Sequence, residues 1–263
     1  MRRPTITLTT DFGTSDHFVG AMKGVILSLC PTAQVVDITH EVTPFEIAQG
    51  AFLLAQAAAY FPKNTIHVAI VDPGVGGARR PLLVESEGRF FIGPDNGIFG
   101  LVYEGSPHPK VREITNTRLF LPQVSRTFHG RDVFAPAAAH LAAGAKPASF
   151  GRKIDDYLKP APTRPLQTGR RFWTGTVLHI DRFGNLVSTF KASDFPQLRE
   201  RPFELQAGMA KISTLAETYA AMPPREPHLI EGSAGYYEIS VNQGNAAKAL
   251  GVGLGAPLEL VLY

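Results

Sequence analysis

The chain has 263 residues, of which 44% are hydrophobic and 19% charged, with a formal charge of +3. That balance belongs to folded protein, excludes disordered and fibrous classes, and gives room for two ordinary domains. The basic residues are scattered rather than gathered into a stripe or arm, so no nucleic-acid partner is expected.

In chain order, "TITLTT" alternates like a strand, "DHFVGAMKGVILSL" carries helical spacing, and "QVVDIT" is a short β-branched run. The most apolar stretch, "IAQGAFLLAQAAAYF", is broken by glutamines and is too short to span a bilayer. It reads as a packed core helix ending near Tyr60, and no membrane association is expected. "TIHVAIV" is the next strand, and "PLLVES" and "GRFFIG" form a hairpin across Glu87 and Gly88. "VFAPAAAHLAAG" closes this half as a helix with Gly144 as its C-cap. Alternating strands and helices predict an α/β domain with a largely parallel sheet over residues 1–155.

From Lys146 to Gly169 the character changes, because Pro147, Pro160, Pro162 and Pro165 interrupt regular structure and favour extended chain. A proline-rich linker is expected at 156–169. Beyond it, "FWTGTVLHID", "GNLVSTF", "PFELQAG", "AKISTL", "GYYEISVN" and "PLELVLY" are short strands with turn residues between them. They predict a smaller all-β domain, a barrel or sandwich, over 170–263. Cys30 is the only cysteine, which excludes an intrachain disulfide framework and a thiolate zinc cluster. The segment "MRRPTITLTTDFG" lacks the apolar core of an export signal, so a cytoplasmic setting is expected.

The decapeptide "VDPGVGGARR", residues 71–80, poses the functional question. It lacks the G-x-x-x-x-G-K-[ST] order of a phosphate cradle, and Asp72 would repel phosphate. A tight turn with a surface ion pair, or part of an active site, remain as readings. Asp11 and Asp72 each follow a predicted strand, where ligands bind in open α/β sheets. A carboxylate there can accept both hydroxyls of a ribose, although Asp11 could instead only cap the next helix. "GPDNG" (93–97), "FHGRD" (128–132) and "IDRFGN" (180–185) add compact polar clusters, none specific by itself. The eight histidines show no metal-ligand spacing.

Taken together, "TLTTDFGTSDHFVGAMKG", "VDITHEVTPFEIAQGAFLL", "VDPGVGGARRPL", "GPDNGIFG", "TFHGRDVFAPAAAHLA", "IDRFGNLVSTF" and "SAGYYEISVNQGNAAKALG" resemble the S-adenosylmethionine (SAM) hydrolases, also called SAM hydroxide adenosyltransferases. These are relatives of the fluorinating and chlorinating enzymes. The resemblance runs from about Thr5 to the C-terminus. It implies that water displaces L-methionine from C5′ of SAM to give adenosine, with SAM as substrate and with neither cofactor nor metal. It also implies an α/β N-terminal domain, a β-rich C-terminal domain, and a homotrimer with sites at subunit interfaces.

By motif matching, the resemblance assigns Asp72, Arg79 and His129 to catalysis, with Arg80 as the alternative arginine. Asp11 would hold the ribose, and Phe45 and Phe183 would wall the substrate. Asn185 and the backbone near Val241 would address adenine, while Asp181, Ser233 and Glu238 would face the methionine end. The halogenating relatives carry a tyrosine at the position of Asp72 and a serine at that of Gly130, so hydroxide transfer is the expected chemistry over a halide-dependent one. They also place an arginine where this chain has Ala234, which leaves the methionine carboxylate without an assigned partner. The rival readings are a non-catalytic SAM or adenosine sensor, and a metal-dependent hydrolase built on Asp11, Asp16, Asp95 and Asp132.

Overall fold

The computed structural model describes residues 3–160 and 164–263. Arg2 and the linker residue Pro162 lie outside the described residues. The chain divides into two compact units, Met1–Pro162 and Thr163–Tyr263.

The first unit is a six-stranded sheet covered by helices on both faces. Its strands are β1 (Thr5–Thr10), β2 (Gln34–Thr39), β3 (Ile66–Ile70), β4 (Pro81–Ser86), β5 (Arg89–Pro94) and β6 (Lys110–Glu113). Their order is β2-β1-β3-β5-β4-β6. The pairings among β2, β1, β3 and β5 are parallel, whereas β4 pairs antiparallel with both β5 and β6. The hairpin expected at Glu87 and Gly88 is present, with φ of 48° and 73°, the paired left-handed residues that a two-residue hairpin turn requires.

Side-chain alternation divides the interior in two. Ile6, Leu8, Val68 and Ile70 face α1 (Phe18–Leu29) and α4 (Ala135–Ala142), contributing to one apolar cluster with Met22, Ile26 and Phe134. Ala69, Val71, Leu82, Val84 and Phe91 lie in the other, with Leu54 of α2 (Ile47–Ala58) and Val102 of α3 (Gly100–Glu104). Every residue of β3 is buried, as a strand covered on both faces must be. The chain leaves β1 through α1 to reach β2 on one side, then returns through α2 to β3 on the other. The strand order therefore reverses between β1 and β3, and their carboxyl ends open the crevice in which such sheets bind ligands.

Two short elements carried no clear pattern in the sequence, α3 and the edge strand β6. The start of the alanine-rich helix is also different: Gly130–Phe134 forms a π-helical turn that runs directly into α4. Gly144 follows α4 with a φ of 100°. Pro147 opens a short 3₁₀ turn, and Phe150 and Ile154 are buried against the first unit.

The second unit is a nine-stranded mixed sheet. It comprises β7 (Leu166–Gly169), β8 (Phe172–Ile180), β9 (Leu186–Lys191), β10 (Phe203–Ala207), β11 (Ala210–Ile212), β12 (Leu215–Ala216), β13 (Pro227–Glu231), β14 (Tyr236–Val241) and β15 (Pro257–Leu262). The path runs β11-β10-β15-β8-β9-β14-β13-β12, with β7 added on β8. All its pairings are antiparallel except β12 with β13. β8 serves two groups of strands, since its first half pairs with β7 and β15 and its second half with β9.

One face of the sheet supplies the core, including Phe190, Phe203, Leu205, Tyr237, Ile239, Leu258 and Leu260. Four details depart from the sequence expectation, the first being β13, which no predicted strand covers. Residues 166–169, expected in the linker, add to the sheet as β7; "AKISTL" splits into two strands; and the helix α5 (Ala246–Leu250) makes the unit not wholly β. Among the described residues, the path has β11 and β12 as free ends rather than closing on itself.

Candidate active site

The loop after β3 turns twice in quick succession, with Val75 N–H donating to the Asp72 carbonyl and Gly77 N–H to that of Gly74. Gly76 has a φ of 74°, and a Cβ there would lie 2.1 Å from the carbonyl oxygen of Arg126. Only glycine admits both that backbone conformation and that approach. The turns bring Arg79 back onto Asp72. Arg79 Nε donates to Oδ2 at 2.9 Å and Nη2 to the same oxygen at 2.6 Å, with a longer contact to Oδ1. Both side chains are largely buried, at 9% and 4% exposure. The guanidinium also lies 5.2 Å from the centre of the Phe134 ring.

His129 completes the set, because Arg79 Nη2 lies 2.7 Å from its Nδ1. A guanidinium can only donate, so Nδ1 is the acceptor and the ring is neutral, with its proton on Nε2. Burial, with the Arg79 charge beside it, lowers the His129 pKa below the usual histidine value, against a smaller opposing pull from Asp72 and Asp132. Beside Asp72 and His129 is a cavity of about 130 Å³, walled by Phe12, Phe18, Ile70, Val75, Phe128 and Gly130. Larger surface hollows exist elsewhere, one lined by Arg3 and Lys63 and another by Arg199 and Glu217, but neither contains such a converging acid, base and cation.

Arg80 points away from this group. It pairs with Asp95 at 2.7 Å and with Asp156 at 2.9 Å, while the other Asp95 oxygen accepts the Leu158 N–H. The "GPDNG" cluster thus fastens residues 156–158 to the sheet within the first unit.

Asp11, at the carboxyl end of β1, does not cap α1, whose first turn has no side-chain cap. Instead Oδ2 accepts the Phe45 N–H at 3.0 Å. Phe45 has a φ of 72° and is 70% exposed, so the carboxylate holds an exposed ring on a strained backbone.

In the second unit, the Asp181 carboxylate organises the turn after β8. Oδ1 accepts from the amides of Phe183 and Asn185, and Oδ2 accepts from Asn185 Nδ2 at 2.8 Å. The Asn185 oxygen in turn accepts from the Ser240 hydroxyl at 2.6 Å. The turn leaves Phe183 76% exposed. Glu238 is buried on β14 and accepts from the Tyr219 hydroxyl at 3.2 Å. Burial raises the Glu238 pKa; the Tyr219 bond opposes that shift and the Asp181 charge adds to it. Ser233 is exposed in the turn from β13 to β14, next to Gly232, whose Cα side is filled by the Glu238 carboxyl. Val241 ends β14, and its carbonyl accepts the Gly244 N–H.

The structure therefore draws Asp72, Arg79 and His129 together, links Asp11 to Phe45, and groups Asp181 with Asn185 and Glu238. It does not gather Asp11, Asp16, Asp95 and Asp132: Asp95 is committed to Arg80 and Asp132 to Arg131, and among the described residues no three His, Cys, Asp or Glu side chains form a metal-binding group. Also among the described residues, no helix is long and apolar enough to cross a membrane. Phe134, Tyr219 and Ser240 were not anticipated. Ser240 alone left a signal, since it shares the period-two face of Glu238 in an otherwise apolar strand.

A doubly covered α/β sheet, bearing an acid–cation–imidazole set at the reversal of its strand order and joined to a β-rich unit, defines a two-domain small-molecule enzyme class. Two family descriptions match the chain, the SAM hydroxide adenosyltransferase N-terminal domain over residues 6–151 and its C-terminal domain over residues 175–259. The chain belongs to the SAM hydroxide adenosyltransferase family. It is 39% identical to an (R)-S-adenosyl-L-methionine hydrolase of Salinispora arenicola, over 98% of this chain and 97% of that protein. It is 28% identical to a fluorinase of an Actinoplanes species, over 73% of each. The crystal structure of an uncharacterized conserved protein from Thermotoga maritima superposes with a TM-score of 0.90 at 33% identity, covering 98% of this chain and 99% of that one.

Proposed function

We propose that the protein is a SAM hydrolase, in which water displaces L-methionine at C5′ of SAM and releases adenosine. The observation that carries this reading is the convergence of Asp72, Arg79 and His129 beside a small aromatic cavity. Full proton transfer from free water to an ordinary aspartate spans about 12 pKa units, or roughly 16 kcal/mol. Hydroxide made in advance is therefore excluded as the nucleophile. The proton instead leaves during attack, as the water oxygen bonds to carbon and becomes acidic, and Asp72 accepts it.

Arg79 holds the Asp72 carboxylate in place through its forked contact, while the Nε2–H of His129 donates to the water and fixes its lone pair. The C5′–S bond breaks with its electron pair going to sulfur, so a neutral thioether leaves and no general acid is needed. Charge is cancelled as the oxygen meets the sulfonium, and walls such as Phe12, Phe18 and Phe128 favour that change over separated, hydrated ions.

In the same reading, Asp11 holds the ribose, Phe45 and Phe183 wall the substrate, and Asn185 and the Val241 backbone address adenine. Asp181, Ser233 and Glu238 serve the methionine end. Resident cofactor or metal has no part in it. A homotrimer with sites at subunit interfaces, in the cytoplasm, belongs to the same proposal, and sedimentation equilibrium tests the assembly. Turnover in ¹⁸O-labelled water tests the chemistry. Adenosine carrying solvent oxygen at C5′, formed in equal amount with methionine, is expected; SAM recovered intact would overturn the reading.

A further inference from the structure

Asp132 is a charged side chain with no exposure at all, placed in the π-helical turn that begins immediately after His129. Inserted π-turns cost regular hydrogen bonding and concentrate at functional positions. One Asp132 oxygen accepts the Ser125 N–H at 2.8 Å, and the carboxylate is paired with Arg131 at 2.6 Å. The Asp132 carbonyl accepts the Leu121 N–H at 2.9 Å. The residue thus ties both ends of the segment 121–125 to the turn that carries His129.

That segment leads into Arg126, whose carbonyl packs against Gly76 in the loop bearing Asp72 and Arg79. Arg131, neutralising Asp132, lies 5.1 Å from the centre of the Phe128 ring, a wall of the cavity. We propose that Asp132 is a positioning residue, whose carboxylate sets the spacing between His129 and the Asp72–Arg79 loop through Ser125 and Arg126. This rests on the SAM hydrolase reading only for the activity it would affect. The clamp itself concerns the imidazole.

Asp132→Asn keeps the side-chain shape and one oxygen for Ser125 while giving up the charge and the Arg131 Nε contact; Asp132→Ala removes all of these. Misplacement of a reacting group by a distant change lowers turnover by about ten- to hundredfold. Losses of that order in kcat are expected, with KM within about threefold, because ground-state binding is not the function removed. The ¹⁵N resonances of the His129 ring should move in the folded variant, and the kcat loss should not multiply with that of His129→Ala. Unmoved His129 resonances in folded Asp132→Asn, or losses that multiply, overturn the proposal. A wild-type protein that leaves SAM intact overturns the hydrolase reading instead, and the ring resonances then decide the clamp without reference to activity.

Discussion

Nη2 of Arg79 stands 2.7 Å from Nδ1 of His129, and a permanent cation so placed forbids a proton on that nitrogen. Protonating the ring would break this bond and set two cations against each other, which agrees in sign with the lowered His129 pKa. The neutral ring is the competent form, and it persists to lower pH than an ordinary histidine of pKa about 6.5. The acid limb of a kcat/KM profile assigned to His129 is accordingly expected below 6.5. A limb above 7 that disappears in His129→Ala would contradict this geometry.

Asp72→Asn keeps volume and one acceptor but cannot take a proton from water. Loss of a positioned general base costs about 10²–10⁴-fold in rate. Adenosine release from SAM should fall by that factor in a variant that still folds, with a lowered denaturation midpoint because the buried Arg79 cation loses its counter-charge. Turnover within twofold would remove Asp72 from its assigned role.

The two adjacent arginines separate chemistry from architecture. Arg79→Lys loses the forked donation to Asp72 and the reach to His129 together, and a lysine cannot replace a bidentate contact. Arg80→Lys disturbs only the attachment of Asp95 and Asp156. The first should lower kcat strongly; the second should lower the melting temperature with kcat near wild type. Parallel steady-state kinetics and thermal scans check the pair, and the reverse pattern would exchange their roles.

Much of this arrangement was legible in the sequence because its periods are local. The alternation in "TITLTT" and the helical spacing of "FVGAMKGVILSL" are set by which face each residue buries, and each survives in the fold. Asp11 and Asp72 could be placed at strand ends for the same reason. β6 escaped because its burial depends on β4, well separated in sequence, whereas β13 pairs with the neighbouring β14 but buries His228, Leu229 and Ile230 in succession and so shows no period-two alternation. The choice between Arg79 and Arg80 was equally hidden. It depends on two successive turns and on an aspartate at position 156, none of which a decapeptide displays.

Phe45 shows strain held beside a candidate binding group. An L-residue in the left-handed region costs roughly 1–2 kcal/mol, less for asparagine. The exposed ring recovers little of that by burial. Phe45→Asn should therefore stabilise the fold by about 1 kcal/mol, while raising KM for SAM. Urea denaturation and initial-rate kinetics measure the two effects. A variant that is both less stable and unchanged in KM would show that the ring is structural packing rather than a substrate wall.

His67 offers a test of the fold independent of the site. It is fully buried on β3, with Nδ1 2.7 Å from the Thr7 hydroxyl and its ring stacked on Phe91 at 5.0 Å. Among the described residues, Nε2 has no hydrogen-bond partner. Burial, aided by the Arg89 charge, lowers its pKa to about 4. The unfolded chain takes up this proton near pH 6.5 while the folded chain refuses it until about 4, so stability falls as pH drops through that window. The full loss for such a shift is about 3 kcal/mol. His67→Gln removes the titration, and its stability deficit against wild type should narrow steadily from pH 7.5 to 4.5 in urea unfolding. A deficit that stays constant across that range would mean that the imidazole titrates alike in the folded and unfolded chains.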